Sequence, residues 1–209
     1  MWVDRLLLVS GLRRADYAIS EGCAGQSVRA VCTAMPTHGQ TGLVIPVPAA
    51  DALLASIGTR YPGTVRDGLP AHVSLLYPFV VAAELDDHVT TALHDLLVEQ
   101  VPIPVGFLEC YRRGGFVALR PEPSDGLTEL LRKTQRRWPD VVPYGGVYGD
   151  VEPHVTVALR CSEQTAERIE REVTGELPIR AELREAWLLA FEGQWTLRGR
   201  FKFGDSAAS

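Results

Sequence analysis

Two short stretches of the chain share an arrangement of residues that is suited to acid–base chemistry. The stretch AHVSLLY (71–77) contains His72 and Ser74, and the stretch PHVTVAL (153–159) contains His154 and Thr156. In each stretch a histidine is followed by a valine, a hydroxyl residue and further apolar residues. An imidazole titrates near neutral pH, so it exchanges protons under physiological conditions. The repetition of the pattern indicates one shared active site.

Both stretches have the apolar character of buried strands. Side chains alternate between the two faces of a strand. His72 and Ser74 therefore share a face, as do His154 and Thr156, while the valine between them points the opposite way. We expect each apolar face to pack on helices and the two polar faces to meet at one cleft.

This set of groups suits phosphodiester chemistry. A neutral imidazole removes a proton from an attacking water or hydroxyl, and a protonated one gives a proton to the leaving oxygen. Each role is worth roughly 10²–10⁴ in rate. The hydroxyls of Ser74 and Thr156 can donate to the non-bridging phosphoryl oxygens, where charge accumulates. The imidazolium supplies the positive charge, so the chemistry requires no metal.

Other interpretations of these histidines compete with catalysis. A single histidine at the head of a strand is more often a structural residue, but the doubled pattern favours function. A nucleotide-binding module without chemistry remains an alternative. A metal-binding protein using His72 and His154 is disfavoured, because few cysteine or carboxylate ligands lie near them. Structural or surface roles are expected for the remaining histidines, His38, His88 and His94.

The periodicity of the chain predicts the elements that position these residues. Hydrophobic spacing and turn residues predict a strand at 42–47, a helix from Pro48 to 58, the motif strand 72–79, a helix at 84–100, a hairpin of 103–111 and 114–121, a helix at 125–138, the second motif strand, a helix at 162–174 capped by Ser162, and a terminal hairpin of 182–193 and 194–204.

The second half of this series echoes the first, and each half contains one motif strand. The two histidines lie 82 positions apart. The pattern indicates an internal duplication. It predicts an α+β fold of two lobes related by a pseudo-two-fold axis.

Composition excludes several classes of protein. The chain has 209 residues, of which 46% are apolar and 22% charged, which is typical of a globular protein. A net charge of −5 argues against coating nucleic acid through bulk charge but permits a small phosphate site. We expect no membrane span and no secretion signal. The four cysteines form no Cys-x-x-Cys pair, which favours reduced thiols and a cytoplasmic location. No obligate protein partner is evident.

The two motifs also resemble those of a known family. HVSL (72–75) and HVTV (154–157) are similar to the paired motifs of the two-histidine (2H) phosphoesterase superfamily. HVSLLYPF, YGGVYGDVEPHVTVA and WTLRGRFKFG resemble its 2′-5′ RNA ligase-like (LigT-like) branch, over about residues 41–204. The resemblance implies a bilobal fold with antiparallel sheets flanking a central cleft.

The same resemblance implies a reaction and the residues that perform it. His72 and His154 would be the catalytic pair, and Ser74 and Thr156 would hold the phosphate. Members of the superfamily open 2′,3′-cyclic phosphates of RNA ends or small nucleotides, often leaving 2′-phosphates. Some run the reverse ligation and form 2′-5′ linkages. Neither a metal nor a nucleotide cofactor is expected.

Several aromatic residues near the motifs are candidates for binding a base. The loop PYGGVYGD (143–150) contains Tyr144 and Tyr148, and we take Tyr148 as a candidate substrate-binding residue. Stacking on a base is worth about 1–3 kcal/mol. A glycine-rich turn with one tyrosine packed inward fits the sequence equally well. Tyr77 and Phe79 follow the first motif, and for them a place in the core is favoured.

Charged residues near the motifs have simpler interpretations. Glu152 is placed to orient His154, although a plain turn carboxylate is favoured. A solvated helix face is favoured over an RNA-binding surface for one basic cluster, consisting of Arg132, Lys133, Arg136 and Arg137.

The two ends of the chain lie outside the duplicated pattern. Residues 1–40 show no sustained period and are interpreted as a poorly organised N-terminal extension, with the phosphoesterase-like domain at 41–204 and a short tail at 205–209. We expect residues 1–34 to be dispensable for folding and activity.

Overall fold

The computed structural model of the protein describes residues 35–146 and 151–204. Residues 1–34, Tyr148 and the tail at 205–209 lie outside the described residues. The predicted dispensability of the N-terminal extension and the predicted role of Tyr148 therefore stay predictions.

The described residues contain eight strands and four α-helices, with three short 3-10 helices between them. The strands are β1 (Thr41–Pro46), β2 (His72–Leu76), β3 (Ile103–Arg113), β4 (Phe116–Glu122), β5 (Val155–Ala158), β6 (Ile179–Leu183), β7 (Glu185–Phe191) and β8 (Trp195–Lys202). The helices are α1 (Asp51–Arg60), α2 (Asp87–Val98), α3 (Asp125–Arg137) and α4 (Glu163–Thr174).

All eight strands form one antiparallel sheet. Their order is β6-β3-β4-β5-β2-β1-β7-β8. The pair of motif strands, β5 and β2, stands at the middle and joins two groups of four strands. The predicted α+β fold with antiparallel strands and two halves around a central site is confirmed. The two lobes are the halves of a continuous, curled sheet.

The core lies on the face of the sheet that the helices cover. Val73 and Leu75 of β2, and Val155 and Val157 of β5, are almost completely buried. Helix α3, from the second half of the sequence, packs on β2, and helix α1, from the first half of the sequence, packs on β5. Each motif strand is thus packed against a helix from the other half of the sequence, and its polar face is left for the cleft.

The helix ends follow the capping residues in the sequence. Ser162 accepts a hydrogen bond from the Thr165 N–H at 3.1 Å, which confirms the predicted N-cap of α4. Asp86 caps α2 by accepting from the Val89 N–H at 2.9 Å. That cap marks the start of α2, which runs over Asp87–Val98 within the predicted helix 84–100.

The predicted long strand at 182–193 is wrong in one respect. The chain changes partners at Arg184, so two strands stand where one was predicted. β6 pairs with β3 at one edge of the sheet, whereas β7 pairs with β1 and β8 in the other half. Within the described residues, no helix has the length and apolar character of a membrane span.

Candidate active site

Direct pairing of the two motif strands brings their polar residues together. Val73 and Val155 are partners in the antiparallel β2–β5 pair. One step along that register, His72 stands opposite Thr156 and Ser74 stands opposite His154. The two histidines are diagonal neighbours on one face, a relation that separates Cα atoms by roughly 7–8 Å. Each imidazole therefore lies beside the hydroxyl of the other motif.

An open cleft lies over this face of the sheet. It is lined by His72, Ser74 and Thr156 from the two motifs. All three are half-buried, as is His154, while the valines between them are fully buried. His154 adjoins the cleft without lining it, and its ring packs edge-on against Phe116 with centroids 5.5 Å apart.

Backbone carbonyls fix the protonation of both imidazoles in the same way. His72 Nδ1 lies 2.7 Å from the carbonyl oxygen of Pro70, and His154 Nδ1 lies 2.8 Å from that of Glu152. A carbonyl oxygen only accepts, so each Nδ1 carries the proton and donates. In the neutral ring, Nε2 is then left with its lone pair. Both histidines are therefore presented as proton acceptors at Nε2.

The surroundings of the two rings favour their neutral forms. Burial lowers the pKa of His72 from its usual 6.5 to about 4; the bond to Pro70 opposes this, and the charges of Arg66 and His154 add to it. Burial also lowers the pKa of His154, with a further contribution from Arg66.

The two motif hydroxyls are available to a ligand. Neither Ser74 nor Thr156 has a hydrogen-bond partner for its hydroxyl among the residues that the structure describes. Both line the cleft. A hydroxyl donates one hydrogen bond and accepts others, so each can donate to an anionic oxygen placed between the strands.

Aromatic side chains form one wall of the cleft. Tyr77 lies between Tyr144 and Trp195, with ring centroids 5.9 and 6.1 Å away. All three residues line the cleft. The Tyr144 N–H donates to the Tyr77 carbonyl oxygen at 2.9 Å and holds the loop against the end of β2.

These positions decide between the alternatives for the aromatic residues. Phe79 is buried and packs edge-on against Trp138, as favoured. Tyr77 is half-buried at the cleft, so its favoured place in the core is wrong. β2 ends at Leu76, so Tyr77 lies beyond the regular strand.

Glu152 does not orient His154 through its carboxylate. That group lies 3.8 Å from Arg120 and is mostly exposed, whereas the backbone carbonyl of Glu152 holds the ring. The favoured interpretation of Glu152 as a turn carboxylate fits its exposed side chain. In the basic cluster, Arg132 and Lys133 are exposed, Arg136 pairs with Glu129, and Arg137 stacks on Trp138.

Sequence reasoning missed three residues of the site. Arg66 and Trp195 line the cleft, and Asp51 accepts from the Ala71 N–H at 2.7 Å, which anchors the chain just before His72. Arg66 stands in the loop before the first motif. The loop before the second motif contains neither arginine nor lysine, so comparison of the two halves gave no signal for it.

The part of the chain that the structure describes contains no set of side chains that could bind a metal ion. No three histidine, cysteine, aspartate or glutamate side chains come together there as a possible site. His72 and His154 are accompanied at the cleft by hydroxyls and an arginine.

Comparison with known proteins identifies the fold and the family. The model of the family described as the 2′-5′ RNA ligase superfamily matches residues 46–195. That range contains both motifs and most of the sheet. No curated protein sequence matches the chain.

Solved structures share the fold at low sequence identity. The protein TT0787 of Thermus thermophilus is 14% identical with a TM-score of 0.54, over 80% of this chain and 99% of its own. E. coli LigT in complex with 3′-AMP is 17% identical with a TM-score of 0.52, over 81% of this chain and 100% of its own. LigT in complex with NADP⁺ is 18% identical with a TM-score of 0.53, over the same shares.

Proposed function

We propose a reaction for this chain, which belongs to the 2′-5′ RNA ligase superfamily: it is a metal-independent phosphodiesterase that opens 2′,3′-cyclic phosphates of RNA ends or small nucleotides. One observation carries the proposal. Two imidazoles, each with Nε2 as its free acceptor, and two hydroxyls without partners in the described chain share one face of adjacent strands. A phosphodiester held between the strands would contact both kinds of group.

The proton transfers follow from the two imidazoles. A neutral imidazole takes the proton of the attacking water at Nε2 while the water oxygen bonds to phosphorus. The bond from phosphorus to the 3′ oxygen breaks, and the other imidazole, protonated, donates its proton to that oxygen. The product is a 2′-phosphate, and the two imidazoles have exchanged protonation states. Each role is worth roughly 10²–10⁴ in rate.

Substrate binding supplies the proton arrangement that this reaction needs. Burial lowers the pKa of both histidines, which favours the neutral form of each ring in the free protein. An anionic phosphodiester favours the charged form of a neighbouring imidazole. The substrate therefore promotes protonation of one ring. The Ser74 and Thr156 hydroxyls donate to the non-bridging oxygens and stabilise the charge that develops there.

The aromatic wall offers a place for the base of the nucleotide. Tyr77, Tyr144 and Trp195 line the cleft together with His72. Base–aromatic stacking contributes about 1–3 kcal/mol and tolerates different bases. The solved complex of LigT with 3′-AMP supports a nucleotide as the ligand of this fold. Tyr148 remains a further candidate for stacking.

Product analysis tests the proposal. The purified protein would be incubated with the four 2′,3′-cyclic nucleotides and with a cyclic-ended RNA, in the presence of EDTA. We expect 2′-phosphates, resolved from 3′-phosphates by chromatography, at a rate proportional to protein concentration. The control is the H72N/H154N double variant prepared in parallel, which detects contaminating phosphodiesterases. No product, an equal rate in the control, or loss of turnover in EDTA would each contradict the proposal.

Two further outcomes of this experiment would indicate one of the alternative functions, RNA end joining or nucleotide binding without catalysis. A longer RNA formed from cleaved halves would show that the same site joins ends through a 2′-5′ bond. Tight binding of a cyclic nucleotide, with no product after long incubation, would show a nucleotide-binding module that keeps the cleft without the chemistry.

We also propose that the protein acts in the cytoplasm. The support is that Cys110 and Cys161, the cysteines within the described residues, are both unpaired. Unpaired thiols fit a reducing compartment. Recovery of the protein from a secreted or membrane fraction of its cells would contradict this location.

A further inference from the structure

Arg66 is the one arginine that lines the cleft within the part of the chain that the structure describes. It stands in the loop between α1 and β2 and shares the cleft wall with His72, Ser74 and Thr156. It is half-buried. Among the described residues, no carboxylate forms an ion pair with its guanidinium. A positive charge that is partly withdrawn from water and left without an acidic partner is free to bind an anion.

The loop that carries Arg66 is fastened to both motif strands. On its first side the Thr64 carbonyl oxygen accepts from the Leu159 N–H, just after β5, at 2.8 Å. On its second side the Ala71 N–H donates to Asp51 at 2.7 Å, and the Ala71 carbonyl oxygen accepts from the Val47 N–H at 2.7 Å. Arg66 therefore lies in a loop whose two ends are fixed by hydrogen bonds, one beside the end of β5 and the other just before β2.

The guanidinium charge acts on both catalytic candidates. It lowers the pKa of His72 and the pKa of His154, after the larger effect of burial. Three other charged groups affect these rings: His154 lowers and Asp51 raises the pKa of His72, and Glu152 raises that of His154. Arg66 alone is shared by the two rings.

We propose that Arg66 binds the phosphoryl group of the substrate as a third catalytic residue beside the two histidines. The proposal rests on the function proposed above. A guanidinium is planar and donates two parallel hydrogen bonds to phosphate oxygens, a geometry that an ammonium lacks. Negative charge grows on the non-bridging oxygens as water attacks, and a fixed cation stabilises it most in the transition state.

The same residue couples proton uptake to substrate binding. In the free protein, the positive charge of Arg66 disfavours protonation of both imidazoles. A phosphodiester anion bound to Arg66 offsets its charge, and one imidazole then takes up the proton that the reaction requires. The cleft thus favours the acid–base pair when an anionic phosphodiester is present.

Turnover of three variants tests the proposed role. We expect R66A to lower kcat/KM for a 2′,3′-cyclic nucleotide by about 10²–10³-fold, as for loss of one donor to a developing oxyanion. We expect R66K to lie between R66A and the wild type, because it keeps the charge and loses the paired donors. The control is R171A, an exposed arginine of α4 on the helical side of the sheet, which should match the wild type.

Two measurements without turnover separate this proposal from the proposed function. In NMR titrations of the free protein, R66A should raise the pKa of both His72 and His154, and R171A should raise neither. Inorganic phosphate should bind the wild type more tightly than R66A. If the wild type opens no cyclic phosphate, the function fails, while these two results still decide whether Arg66 is the anion-binding cation.

Unchanged histidine titrations together with unchanged phosphate binding in R66A would overturn the role of Arg66, whatever the turnover. If circular dichroism shows that R66A does not fold, R66K is used to test the proposal instead. In that case, phosphate affinity and kcat/KM in R66K equal to those of the wild type would overturn the proposal, and a loss of both would support it.

Discussion

The hydrogen bond at Nδ1 gives each histidine of the site its chemical character. His72 and His154 donate to the carbonyl oxygens two residues before them, at 2.7 and 2.8 Å. The duplication thus extends to single hydrogen bonds, although Pro70 and Glu152, which supply the two carbonyls, are unlike residues. A backbone acceptor holds the ring orientation whatever side chain the supplying residue carries.

The lowered pKa of His72 predicts a dependence of stability on pH. A histidine whose pKa is about 4 in the folded state and 6.5 in the unfolded state binds fewer protons when folded. The free energy of unfolding therefore falls as pH falls from 6.5 to 4, by up to about 3 kcal/mol from this residue. Above pH 6.5 the residue contributes no further change.

Urea unfolding of the wild type and H72N across this range measures the effect. The difference in unfolding free energy between the two proteins should shift in favour of H72N as the solution is acidified. H94N, which alters an exposed histidine of α2, should follow the wild-type curve. Parallel curves for wild type and H72N would show that the His72 ring is solvated like a free imidazole.

At the scale of residues, the sequence correctly predicted which motif side chains share a face of their strand. The shared face of His72 and Ser74, and that of His154 and Thr156, follows from the two-residue period of a strand. Arg66 was missed because its place in the cleft depends on hydrogen bonds at both ends of a loop. Tyr77 was assigned to the core within a strand predicted at 72–79, whereas β2 ends at Leu76.

At the scale of elements, the site depends on how the β3–β4 turn meets the chain after β5. Gly115 accepts from the Cys161 N–H at 3.3 Å, and a Cβ at this glycine would lie 2.0 Å from the Cys161 carbonyl oxygen. The next residue, Phe116, packs against the His154 ring. Any side chain at Gly115 therefore has to displace backbone beside the second motif.

Gly115→Ala is expected to destabilise the fold by about 1–3 kcal/mol, because an overpacked contact forces backbone to move. The matched control is Gly58→Ala in α1, where the new Cβ would lie 3.5 Å from Val65, an ordinary contact. That change should stabilise the fold by up to about 1 kcal/mol through helix propensity. Chemical denaturation of both variants measures the two shifts. Equal stabilities would show that the turn is not in close contact with the β5 end.

Prediction of the elements from sequence succeeded where periodicity and caps were clear. The α4 helix and its Ser162 cap, and the hairpin of β3 and β4, were predicted close to their observed bounds. The separation of β6 from β7 was not predicted. Its cause is a change of pairing partner between opposite ends of the sheet, which no local pattern records.

At the scale of the whole molecule, the two halves of the sheet meet at the motif strands that carry the candidate active site. The order of the sheet places β5 and β2 at its centre, with three further strands on each side. Helices α1 and α3 each pack on the motif strand from the other half of the sequence. The two motif strands therefore depend on contacts from both halves of the sequence, so we expect the described sheet to unfold as one unit.

Removal of residues 1–34 tests whether the N-terminal extension is needed for folding and activity. The family match begins at residue 46 and the first strand at Thr41. A chain that begins at Met35 should therefore remain soluble and keep the turnover of the 209-residue chain. Circular dichroism and kcat/KM of the two chains check this. Insolubility or loss of turnover would show that residues 1–34 pack on the domain.

The account rests on two distant imidazoles acting on a single phosphorus atom. The most direct test is kcat/KM for a 2′,3′-cyclic nucleotide in the wild type, H72A, H154A and the double variant, with H94A as control. Groups that act as a unit are not additive. We predict that each single change costs at least about 10²-fold, and that the double variant is no slower than the slower single one. Near wild-type turnover in either single variant, or losses that multiply in the double variant, would contradict the account.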